Sequence, residues 1–147
     1  MNPGEEGVAV GHAVATAVTY VWLGMVVAIS FVEAPLKFRA PGVSLAIGLG
    51  IGRLVFRALN TAEAVFAVVV LVTVVTGALP YGAAVAEGVA VVALGAQLAT
   101  VRPRLTRRSD LVMAGHEAPR SHAHHAYIAL EAVKVVALLT AGVLLLT

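Results

Sequence analysis

Four long apolar runs, each interrupted by isolated ionisable residues, dominate the hydropathy pattern. They predict helical membrane spans at about 8–32, 54–79, 83–101 and 123–146, since ~20 apolar residues cross ~30 Å of hydrocarbon. From Val8 to Val32 there is no charge apart from the titratable His12, and Glu33 and Pro35 then follow. Proline cannot donate to a helical carbonyl, so the first helix is expected to kink or end at that acid. On a 100° wheel Trp22, Met25, Ile29 and Glu33 share a face, which should point into the bundle. Lys37 and Arg39 lead into a glycine-rich apolar stretch at 41–52, read either as a short re-entrant piece or as a connection packed on the bundle. Its GxGxG spacing lacks the preceding strand that a dinucleotide site needs. The second span should begin near Arg53 and end at Pro80-Tyr81-Gly82, a tight turn. The third carries Glu87 and Gln97, with small residues at Ala84, Gly88, Val92 and Ala96 that would permit close backbone approach.

Composition agrees with this pattern. The 147 residues are 60% hydrophobic and 12% charged, with mean hydropathy +0.95, which departs from soluble domains toward a single transmembrane domain, residues 1–147. The fold class expected is all-α, an integral membrane four-helix bundle. The start MNPGEEG has two acids and no basic region, so the first run is expected to stay as a span and not to act as a cleaved signal. The absence of cysteine excludes disulfides, thiolate ligands and thiol nucleophiles. All ten Lys and Arg lie in two basic connections, 37–53 and 102–121, or in the adjoining halves of spans one, two and four. By the positive-inside rule those connections are cytoplasmic and both termini face outward in an inner-membrane, multi-pass protein. The basic residues thus report orientation, and no nucleic-acid partner is expected.

The chemistry is concentrated in Ser121–Lys134 and Arg53–Glu63. His124, Tyr127, Glu131 and Lys134 fall within about 80° on the last helix, and Arg53, Arg57, Asn60 and Glu63 within about 120° on the second. Lys134 would lie ~16 Å deep, too far for its ammonium to snorkel to water, so it should face the interior and find a partner such as Glu131. Topology should bring Glu33 to the same depth, which sets three carboxylates against two arginines and a lysine. Glu33, Glu63 and Glu131 are candidate ligands or proton carriers, with Arg53, Arg57 and Lys134 as balancing charges. His122, His124 and His125 are candidate metal ligands near Glu117. The cofactor is left open beyond a metal ion, because a bis-histidine haem would have to bridge His12 and the distant histidine cluster.

The segments WLGMVVAISFVEAPLKFRAPG, GLGIGRLVFRALN and HHAYIALEAVK resemble a group of small bacterial four-span membrane proteins without an assigned activity; the resemblance covers nearly the whole chain and implies the spans alone. The run Arg57-Ala58-Leu59-Asn60-Thr61-Ala62-Glu63 resembles the membrane-associated eicosanoid and glutathione metabolism (MAPEG) family, in which an arginine, asparagine and glutamate on the second span bind glutathione in a trimer. Asn60 and Glu63 keep that spacing. Arg57 stands one residue closer to Asn60, and Ala64 replaces the expected tyrosine. Three readings therefore stand: binding or transport of a small ion, metal ion or proton-coupled solute; a glutathione-type membrane enzyme; and a structural subunit whose ion pairs dock its helices. A homo-oligomer in the bilayer suits each of them.

Overall fold

The computed structural model describes residues 2–118 and 122–147, and Ser121 with the end of the second basic connection lies outside the described residues. Among the described residues four helices are long and apolar enough to cross a membrane: α1 (Pro3–Arg39), α2 (Leu45–Val75), α3 (Tyr81–Met113) and α4 (His122–Leu146). They form an all-α bundle. Valine, alanine and leucine fill these segments, and in hydrocarbon a helix is the one open-chain conformation that satisfies its own backbone. Local signals set the ends. Asn2 and Glu5 form a reciprocal capping box on α1, and the Ser44 hydroxyl accepts the Ile47 amide of α2 at 3.3 Å. Gly77 and Gly115, at φ +71° and +84°, reverse the chain after α2 and α3. The next amide in each case reaches back, Ala78 to the Thr73 carbonyl and His116 to the Leu111 carbonyl, both at 3.0 Å.

Proline does not end the first helix. The chain widens into a π-helical segment at Val27–Glu33, where the Ala34 amide reaches the Ile29 carbonyl, and then continues through Pro35 to Arg39. Helix α3 repeats the device: a π segment at Gln97–Val101, with the Arg102 amide on the Gln97 carbonyl, precedes Pro103. The wider turn re-routes backbone bonds ahead of a residue that cannot donate one. Residues 102–113, read above as loop, are thereby a helical extension of α3.

The glycine-rich stretch is also helical, because α2 starts at Leu45, well before Arg53. Gly48 and Gly52 form the surface on which the end of α1 lies: a Cβ on them would stand 2.2 Å from the Phe38 ring and 2.8 Å from the Lys37 Nζ. At 31 residues α2 is ~46 Å long, so it projects past a ~30 Å hydrocarbon layer.

Helix α3 packs most closely on α4, α4 and α2 each pack on α1, and α2 meets α3 more loosely. The helices are therefore arranged in chain order around one axis, with α1 opposite α3 and α2 opposite α4. The close α3 face is Ala83, Ala86, Ala90 and Ala93, all buried, whereas Val92 of the other small-residue row is 72% exposed. Three apolar clusters stack along the axis. Ala15, Ala83 and Leu145 lie near the termini; Trp22, Val26, Val70 and Leu138 lie centrally; Val101, Ala123 and Tyr127 lie at the basic end.

Candidate functional site: a buried charge cluster

Between these apolar layers lie Thr19, Glu63, Glu87, Gln97, Glu131 and Lys134, each 2% exposed or less. The helix register explains how they meet. Lys134 follows Glu131 by three positions, so both face the axis from α4, and their side chains pair at 3.1 Å. The Lys134 ammonium also donates to Glu63 Oε1 from the opposite helix, forming an ion pair in which both side chains are fully buried. The Trp22 indole N–H donates to the same oxygen at 2.9 Å. Gln97, at the start of the α3 π segment, donates through Nε2 to Glu131 Oε1 at 3.0 Å and reaches the Tyr127 carbonyl at 3.4 Å. All four helices contribute. Each carboxylate uses Oε1, while Oε2 of Glu63 and of Glu131 has no hydrogen-bond partner among the described residues. Two carboxylates against one ammonium leave one formal negative charge in the low-dielectric interior.

On the basic side of the cluster the Tyr127 ring, 7% exposed, meets Phe56 edge-on at 5.6 Å, and its hydroxyl lies within electrostatic reach of the Glu131 carboxylate. The Arg102 guanidinium lies within electrostatic range of Tyr127, Glu63 and Arg57. Polar groups thus descend from the basic mouth through Arg102 and Tyr127 to Glu131, Lys134 and Glu63. A separate polar contact lies nearer the termini, where Thr19 of α1 meets Glu87 of α3 across the other diagonal.

The other candidate residues lie elsewhere. Glu33 is not brought to the cluster; it pairs at 3.3 Å with Lys37, one turn along its own helix. Arg53 pairs with Asp110 of the α3 extension, both of them substantially exposed. Arg57 is exposed and Asn60 half-buried while Glu63 faces the axis, so the three do not converge within one chain. His122, His124 and His125 are exposed; the last two stack edge-on at 6.1 Å, and no three His, Asp or Glu among the described residues converge as metal ligands. His12 is a structural link, its Nε2 lying 2.8 Å from the Leu145 carbonyl at the end of α4.

Sequence reasoning missed Trp22, Gln97, Thr19 and Glu87 as participants. The signal was there for three: an indole too deep for the interfacial belt, and a glutamine and a glutamate inside an apolar span. Comparison with family models, curated proteins and solved structures gives no match, so the site is defined by its own geometry.

Proposed function

We propose that this is an inner-membrane protein, with its basic end in the cytoplasm and both termini on the other side, whose buried cluster binds protons and passes them toward the cytoplasm. The observation that carries this reading is the fully buried Glu63–Lys134–Glu131 triad, with one unpartnered oxygen on each carboxylate. One added proton neutralises it. Ionisable groups at such depth are costly to insert, and they commonly mark proton relays and ion pathways. The donor set also favours a proton over a larger cargo. The triad is packed among apolar side chains, and the shallow grooves lined by Val72 and by Val92 are apolar and open outward. Arg102 and Tyr127 supply the cytoplasmic approach.

Proteoliposomes with an internal pH indicator test the reading. The intact protein is expected to carry protons down an imposed potential, and Glu63→Gln and Glu131→Gln to abolish that flux while the helices stay folded. Unchanged flux in both variants would remove the triad from the pathway. A second reading, a subunit whose ion pairs fix helix pairing, draws on the fact that both diagonals of the bundle are joined by polar contacts. It predicts that these substitutions change stability alone, with no proton flux in the intact protein. A MAPEG-like glutathione site has less support, because the Glu63 carboxylate is engaged by Lys134 and Trp22.

A further inference from the structure

Glu87 plays no part in the triad, yet it is fully buried in the same span region. Among the described residues its one hydrogen-bond partner is the Thr19 hydroxyl, which bonds Glu87 Oε1 and also lies 2.7 Å from the Ala15 carbonyl. Oε2 has no partner. A hydroxyl carries one hydrogen, so it cannot donate to both oxygens at once. The arrangement closes in two ways. With Glu87 neutral, the acid donates to Thr19 Oγ1 and Thr19 donates to Ala15. With Glu87 ionised, the Thr19 hydrogen turns to the carboxylate, and the Ala15 carbonyl keeps its ordinary helical role. Gaining or losing a proton therefore needs one hydroxyl rotation and leaves no donor stranded.

The position matters as much as the chemistry. Thr19 precedes Trp22 by three residues on α1, so Glu87 lies ~4.5 Å nearer the termini than the indole that binds Glu63. Beyond it lie the apolar layer of Ala15, Ala83 and Leu145, with Leu79 packed against it, and then His12 on the Leu145 carbonyl. By helix register the titratable groups nearest the level of Glu87 on the surrounding helices are His12 and Tyr20 on α1, Glu63 on α2, and Glu131 and Lys134 on α4. None of them is its hydrogen-bond or ion-pair partner. We propose that Glu87 is a second proton-binding site, in series with the triad and separated from it by the Trp22 indole, serving the side of the membrane on which the termini lie. The series arrangement rests on the proton reading above; the Glu87 site itself does not.

Infrared difference spectroscopy of the reconstituted protein reads the carbonyl stretch of protonated carboxyl groups directly. A protonated-carboxyl band that is lost in Glu87→Gln, kept in Glu63→Gln, and titrated by pH steps on the termini side is the expected result. Thr19→Val leaves the acid in place but removes its partner, so it should shift the band, and it decides the question if Glu87→Gln does not fold. A spectrum unchanged by both substitutions would overturn the site. In flux measurements Glu87→Gln should abolish transport as Glu63→Gln does; full flux in Glu87→Gln would overturn the series arrangement. An intact protein without flux whose Glu87 band still titrates would remove the transport reading and leave the site standing.

Discussion

Glu63 and Lys134 meet across the bundle axis, from helices α2 and α4 that stand diagonally opposite each other. The pair therefore ties together opposite walls, with Glu131 and Trp22 as its flanking partners. Removing one member of a buried pair strands the other, at a typical cost of about 3–5 kcal/mol. Lys134→Met strands two carboxylates and should destabilise the protein by at least that much in a denaturant titration in micelles. The triple variant Glu63→Gln, Glu131→Gln, Lys134→Met should recover most of the loss, because no charge is then left unpaired. Equal destabilisation in the single and triple variants would mean that Lys134 contributes through packing rather than charge.

Gln97 offers a finer probe. Its amide is, with Lys134, one of two donors on Glu131 Oε1. Gln97→Leu keeps the bulk and deletes the donor, so about 1–3 kcal/mol of stability should be lost. Gln97→Glu adds a carboxylate beside an already negative cluster and should cost more than Gln97→Leu. The reverse order would place the charge balance of the cluster elsewhere.

The spans and most of the inward face of α4 were legible because period and depth alone determine them: His124, Tyr127, Glu131 and Lys134 share one arc, and all but His124, at its mouth, are buried. Pairing partners were harder to read. Glu33 had Lys37 one turn away, and a local ion pair forms without any tertiary constraint. Arg53 found Asp110 because 102–113, read from its charge as a basic connection, is helical. Glu87 and Gln97 lie about 80° apart on the α3 wheel, close enough to suggest a common face. Nothing along the chain says that their partners lie on α1 and α4, since that depends on the order of helices around the axis.

The Arg53–Asp110 pair should be nearly neutral energetically. Both side chains are well exposed, and pairs of this kind contribute about 0–1 kcal/mol. Arg53→Ala is expected to leave both the unfolding midpoint and proton flux close to those of the intact protein. A large loss of flux would restore Arg53 to the pathway.

The turn between α2 and α3 lies close against α1 at Gly11. A Cβ added at Gly11 would lie 2.7 Å from the Cβ of Ala78, which is 4% exposed. Ala78 has no torsion with which to withdraw its methyl, so relief must come from the backbone. There the chain is already committed by Gly77 in its left-handed conformation and by the Ala78 amide on the Thr73 carbonyl. Displacing α1 instead would pull His12 from the Leu145 carbonyl. Gly11→Ala should therefore cost about 1–3 kcal/mol by overpacking, measured as a lowered thermal midpoint in detergent. Gly7→Ala, one turn earlier with open space around it, should instead stabilise the helix by about 0.5–1 kcal/mol. Adding Ala78→Gly to Gly11→Ala removes the opposing methyl and should return much of the lost stability, less the entropy of a second glycine in the turn. If Gly11→Ala and Gly7→Ala shift the midpoint in the same direction, the turn does not bear on α1 as closely as the structure places it.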